Sequence, residues 1–193
     1  FFEKIKGKDE FELIMLSDHG FVGLEKEVYI NPILRKNGFF STETSEVTSL
    51  AEITSDSTAF ALDPSRIFIH LKDRFPKGRV NKNDYNRIRQ ELKQLFENYQ
   101  IGSTNVIKKV YFKEEIYDHD LLDSAPDIIL QSQYGYDLKG GLKKKSEYGR
   151  THFKGMHSKD NAFFFTTRPE LVPENMTIFD VKNHIFQLLN LKN

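Results

Sequence analysis

Short apolar runs separated by polar turns dominate the chain, and few of them keep a helical spacing for long. Residues 11–16 are almost wholly apolar and bounded by polar residues, which predicts a strand buried on both faces in a parallel sheet. That run ends at Ser17-Asp18-His19-Gly20. In open α/β sheets ligands sit beyond the carboxyl ends of the strands, so these polar residues stand where chemistry is expected. Val28, Ile30, Ile33 and Leu34 at mixed helical spacing, closed by Asn37-Gly38, predict a helix over 28–36. Residues 41–58 are rich in serine, threonine and glutamate without helical periodicity and read as a surface excursion. Two apolar runs, 59–62 and 67–71, flank Asp63-Pro64-Ser65-Arg66, a turn signal that predicts an antiparallel hairpin.

The strongest helical pattern follows Asn83, where Tyr85, Ile88, Leu92, Leu95, Phe96 and Tyr99 form one apolar stripe. Residues 106–112 alternate weakly and predict a strand, as do 127–130 beyond Pro126. Residues 134–148 are rich in glycine and lysine and read as a mobile loop. A short buried strand is expected at 162–166. Thr177 and Asp180 have capping-box spacing at the start of a last helix carrying Ile178, Val181, Ile185, Leu188 and Leu189. The opening Phe-Phe-Glu-Lys-Ile-Lys-Gly reads as a final helical turn stopped at Gly7, so sequence N-terminal to Phe1 is expected in a parent protein or a partner chain. No internal repeat is visible. The expectation is one α/β unit: a core segment at 1–40, an inserted α+β portion at 41–120, and a C-terminal core segment at 121–193.

At 193 residues the chain is long enough to bury a core. Lysine plus arginine (28) equal aspartate plus glutamate (28), which argues against a generic binder of nucleic acid or anionic membrane. The absence of cysteine excludes disulfides, thiolate metal sites and thiol nucleophiles, so any metal must use histidine and carboxylate. No apolar run approaches the roughly 20 residues of a membrane span. The chain reads as soluble and cytoplasmic.

Asp18-His19 offers a carboxylate oxygen and an imidazole nitrogen to zinc, manganese or iron, and Gly20 leaves room for the backbone to turn. As a bare dipeptide it reads equally as a cap followed by a surface hydrogen bond. His157, just ahead of the run at 162–165, is a second candidate ligand, with His152 competing for the role. Lys143-Lys144-Lys145 reads as a solvated loop before a phosphate clamp. His70, His119 and His184 read as structural or exposed.

Several pieces occur in order: Ser17-Asp18-His19-Gly20-Phe21; Ala59-Phe60-Ala61-Leu62 leading into Ile67-Phe68-Ile69-His70-Leu71-Lys72-Asp73-Arg74-Phe75-Pro76-Lys77-Gly78; Lys109-Val110-Tyr111 with Lys113-Glu114-Glu115-Ile116-Tyr117; Ala125-Pro126-Asp127-Ile128-Ile129; and Gly155-Met156-His157 before Ala162-Phe163-Phe164. This succession resembles the predicted phosphohydrolase and phosphomutase branch of the alkaline phosphatase superfamily, related to the type I phosphodiesterases and nucleotide pyrophosphatases. The resemblance implies a partial alkaline-phosphatase-like fold, a mixed sheet with flanking helices, with this chain as the C-terminal half. It implies a metal-dependent hydrolase of phosphoric esters holding two divalent ions, zinc or manganese. Asp18 and His19 would ligate the ion nearer the nucleophile and His157 the other. The alternatives are a phosphomutase of the cofactor-independent phosphoglycerate mutase type and a non-catalytic scaffold fragment.

The family's nucleophile, its first metal-binding aspartate and its Asp-x-x-x-His pair precede the Asp-His-Gly motif, where only 17 residues stand here. They are therefore expected outside this chain, in a missing N-terminal half, a partner chain or an oligomer. The chain alone is expected to be inactive toward a small phosphate-ester substrate. Asn161, four residues after His157, occupies a position where relatives usually have glycine.

Overall fold

A computed structural model describes residues 11–44 and 46–191, so the helical turn expected around Gly7 lies outside the described residues. The chain divides into two compact units, one formed by Phe1–Val22 with His157–Asn193 and the other by Gly23–Met156.

The Gly23–Met156 unit holds every buried hydrophobic residue among the described residues, from Val28 to Leu138. Strand β3 (Lys26–Tyr29) runs directly into helix α1 (Ile30–Lys36), so the helix expected from residue 28 begins two residues later. Val28 and Tyr29 are β-formers that fill a strand, and Pro32 falls in the helix's first turn, where its missing N–H costs nothing. Ile30, Ile33 and Leu34 are fully buried. Asn31 is buried too, and its amide closes a reciprocal pair with Ala61, donating to the carbonyl and accepting from the N–H, each at 2.8 Å. That pair ties α1 to strand β4 (Ala59–Asp63).

The hairpin is present as expected. Strand β4 pairs antiparallel with β5 (Arg66–Ile69), and Ser65 takes a left-handed φ of 68° in the turn. A four-stranded sheet follows in the order β4-β5-β9-β8, where β8 is Ile107–Phe112 and β9 is Ile128–Ser132; β9 is antiparallel to both β5 and β8. A short ribbon, β6 (Gln100–Ile101) with β7 (Thr104–Asn105), precedes it. Helix α2 (Lys82–Glu97) packs its stripe on this sheet, burying Ile88, Leu92 and Phe96. Each such side chain stabilises the fold by about 1.5–3 kcal/mol. Arg89 is buried on the same helix, its guanidinium over the rings of Tyr85 and Phe112 and paired with Glu114.

The glycine- and lysine-rich stretch is not a free loop. Strand β10 (Tyr136–Lys139) lies parallel to β3, and β11 (Tyr148–Gly149) pairs antiparallel on the other side of β3. This gives a three-stranded mixed sheet. Tyr136 and Leu138 point into the core on alternate positions, a two-residue period hidden among glycines and lysines. The intervening Lys143, Lys144 and Lys145 are solvated, as expected of them.

In the other unit, strand β1 (Ile14–Leu16) pairs antiparallel with β13 (Phe164–Thr166). The expectation of a parallel strand buried on both faces is therefore corrected. Leu16 and Phe165 are exposed and no residue of β1 is fully buried, because a two-stranded ladder leaves much of its surface without a covering layer. Strand β2 (Gly20–Gly23) pairs with β12 (Gly155–Ser158). The last helix is present: Thr177 and Asp180 form the expected capping box ahead of α3 (Val181–Leu188). His184 is buried on α3, with Nε2 3.2 Å from the Thr166 hydroxyl and its ring edge-on to Phe164.

Candidate metal centre

The candidate ligands lie on or beside two bends of the Phe1–Val22/His157–Asn193 unit, Asp18 and His19 in the first and His157 on the strand that leads into the second. The first, Ser17 to His19, joins β1 to β2. The second, residues 159–163, joins β12 to β13. A reciprocal bond fastens them: the Ser17 N–H donates to the Phe163 carbonyl at 3.0 Å, and the Phe163 N–H returns to the Ser17 hydroxyl oxygen at 3.0 Å. Asp18 therefore leaves the end of a fixed ladder, at the lip of a cavity of about 130 Å³ walled by Leu16, Phe163, Phe164 and Ile178.

The His19 imidazole donates from Nδ1 to the Gly20 carbonyl at 2.9 Å. That bond assigns the proton to Nδ1 and turns the lone pair of Nε2 outward, the arrangement by which backbone carbonyls orient metal-ligating histidines. Nε2 stands 3.4 Å from Asp18 Oδ1. In a tetrahedral zinc site with bonds of about 2.0–2.2 Å, neighbouring donors are roughly 3.3–3.5 Å apart. An imidazole nitrogen and a carboxylate oxygen at this separation match the spacing of two donors on one cation.

The His157 ring lies 4.0 Å from the His19 ring, centroid to centroid, tilted by 33°, and Phe21 approaches it at 6.1 Å. Asp18, His19 and His157 are thus brought together. His152, the competitor, lies against Phe153, with ring centroids 4.2 Å apart and planes tilted by 38°. Of the remaining histidines, His70 is buried with its two nitrogens 3.0 and 2.9 Å from the carbonyls of Ser57 and Pro76, a structural role like that of His184. Among the described residues no cluster of three or more His, Asp or Glu side chains is set to surround one ion.

Two residues shape the backbone around these candidate ligands in ways that spacing did not reveal. Gly20 is buried, and a β-carbon there would fall 1.8 Å from the Asp160 carbonyl oxygen and 2.5 Å from the Ser158 hydroxyl. The glycine of Asp-His-Gly is thus required by close approach of the second bend. Asn161 takes a φ of 66°, the left-handed region that glycine enters freely and asparagine tolerates. Its place in a position usual for glycine has a direct physical reason.

The family model described as type I phosphodiesterase / nucleotide pyrophosphatase matches residues 1–160. The chain belongs to that family. It is accordingly a member of the alkaline phosphatase superfamily, and the match supports a phosphoester-hydrolase-like function. The match takes in Asp18, His19 and His157, and stops short of β13 and α3. No curated protein and no solved structure matches the chain. Among the described residues, no helix is long and apolar enough to cross a membrane.

Proposed function

We propose that this chain carries part of a two-metal site for hydrolysing phosphoric esters, with Asp18 and His19 on one ion and His157 on the other. The observation that supports it best is the meeting of His19 Nε2 with Asp18 Oδ1 at 3.4 Å beside the His157 ring, next to two bends locked together by Ser17 and Phe163. Divalent ions held there, zinc or manganese, would neutralise phosphoryl oxygens and lower the pKa of an attacking hydroxyl or water.

The chain's own residues have distinct tasks. Gly20, through its carbonyl, keeps the proton of His19 on Nδ1 and so leaves Nε2 a ligand. Asp18 supplies negative charge at the mouth of the cavity, and the apolar wall of Leu16, Phe163 and Phe164 limits water on one side of it. Three ligands shared between two ions bind weakly, so the reading includes further ligands and a hydroxyl nucleophile contributed from outside residues 1–193, by the same polypeptide or a partner chain. Residues 1–193 by themselves then give little or no turnover.

The test is calorimetric titration of zinc into the protein, with phosphate monoester and diester hydrolysis assayed in parallel. His19→Ala and His157→Ala are expected each to lower zinc affinity about tenfold or more. Unchanged affinity in both variants would sink the metal reading. Robust turnover by residues 1–193, abolished by His19→Ala, would show that the nucleophile lies within them.

A further inference from the structure

Beside the two histidines stands a buried hydroxyl that is not among the candidate ligands. Ser158 follows His157 on β12 and is 5% exposed. Its Oγ donates to the Asp160 carbonyl oxygen at 2.7 Å, closing the chain into a tight turn just after His157. Both atoms of that bond press on Gly20, since a β-carbon at Gly20 would lie 2.5 Å from Oγ and 1.8 Å from the carbonyl oxygen. Gly20 is the residue whose own carbonyl orients His19. One hydroxyl thus shapes the surface on which the backbone that aims His19 rests, one residue from His157.

We propose that Ser158 is a positioning residue for the metal centre, setting the His19–His157 separation by holding the Asp160 carbonyl against Gly20; this rests on the two-metal reading above. Without the hydroxyl, the Asp160 carbonyl loses a partner, and a loop held at Asn161 in a left-handed conformation has one fewer constraint. The turn then relaxes away from Gly20, and the two imidazoles no longer keep their 4.0 Å relation. Ligands remain present but are no longer pre-set, which is how residues supporting a metal's ligands affect affinity.

Cobalt(II) alone, titrated into the protein and followed by its visible absorption bands, tests the inference without relying on catalysis. Ser158→Ala is expected to weaken cobalt binding by about tenfold or more and to alter the band positions or intensities, the range typical of lost supporting contacts. Ser158→Thr, which keeps the donor, is expected to bind within about threefold of wild type, so a general packing defect at this position is separable from loss of the bond. Wild-type affinity and spectrum in Ser158→Ala, while His157→Ala loses binding, would overturn the inference and leave the metal reading standing. No loss in either variant would overturn both. An equal loss in Ser158→Thr and Ser158→Ala would also overturn it, because the hydroxyl would not be what matters.

Discussion

Asp127 shows how much one side chain can hold. It is fully buried, and its carboxylate accepts from the Tyr85 hydroxyl at 2.6 Å and the Ile69 N–H at 2.7 Å while Arg74 and Lys113 stand 3.3 and 3.4 Å away. Two cations and two neutral donors thus converge on one anion, which meets the cost of taking charges out of water only while the set is complete. Asp127→Ala would leave Arg74 and Lys113 facing each other and the Tyr85 hydroxyl without its acceptor. The expected loss is about 3–5 kcal/mol, read from urea unfolding. Asp127→Asn keeps the shape but removes the charge, and should also destabilise, by less than the alanine change. A loss under about 1 kcal/mol in Asp127→Ala would mean that the network is not formed in solution. In sequence this residue was visible only as part of Ala-Pro-Asp-Ile-Ile, because no local rule says that Arg74, Lys113 and Tyr85 will gather around it.

At the scale of elements, legibility followed the locality of the cause. Helix α2 was readable because its stripe lies within one segment, and the β4-β5 hairpin because its turn residues sit between its strands. The bend carrying Asp18 and His19 was readable because it follows a short apolar run directly. Strand β10 was hidden: its partner β3 is more than 100 positions away in sequence, and its glycines and lysines signal a loop unless the alternation of Tyr136 and Leu138 is noticed. The orientation of β1 was misread for a related reason, since an apolar run fixes burial tendency but not which strand will lie beside it. Leu138→Ala therefore distinguishes strand from loop. It is expected to cost about 2–5 kcal/mol, as truncation of a buried leucine does. Lys143→Ala, on the solvated turn, should change stability by no more than about 0.5 kcal/mol. Near-equal effects of the two substitutions in denaturant unfolding would return the stretch to a loop.

The tyrosines of the Gly23–Met156 unit give it an alkaline limit. Burial, with Glu27 as hydrogen-bond acceptor, pushes Tyr29 up to about 12. Burial raises Tyr85 and Tyr99 as well, helped by Asp127 and by Glu147 respectively. In each case the folded pKa lies above the unfolded value near 10, so the folded state holds the proton more tightly. Their contribution is complete below about pH 10 and is lost as pH rises through the folded values. The urea midpoint should be insensitive to these groups up to about pH 9.5 and fall steeply beyond 10, with tyrosinate absorbance appearing together with unfolding. A midpoint unchanged to pH 11, or titration of all eight tyrosines near pH 10 without unfolding, would contradict the burial of these three.

Taken as a whole molecule, the chain divides its apolar surface unequally between its two units. The Gly23–Met156 unit has a continuous core, in which Ile30, Ile33, Leu34, Ile67, Leu92 and Phe96 are fully buried. In the unit that bears the candidate ligands, the buried residues among those described are Gly20, Ser158, Thr166 and His184, and large apolar side chains such as Phe21, Phe163 and Phe179 are exposed. Local stability follows buried apolar contact, so the two units should open with different free energies. Hydrogen exchange measures this directly: amides of α1, α2 and the β5-β9-β8 sheet should approach the global unfolding limit. Those of β1, β13 and α3 should exchange through local opening at least about 3 kcal/mol cheaper, roughly a hundredfold faster. On the proposed two-metal reading, a saturating divalent ion should slow the second group and leave the first nearly unchanged, because binding energy at Asp18, His19 and His157 would be added only to states in which that unit is folded. Uniform protection across both units, with or without metal, would show that the ligand-bearing unit has a source of stability other than the packing described, and would remove the reason for expecting metal to order it.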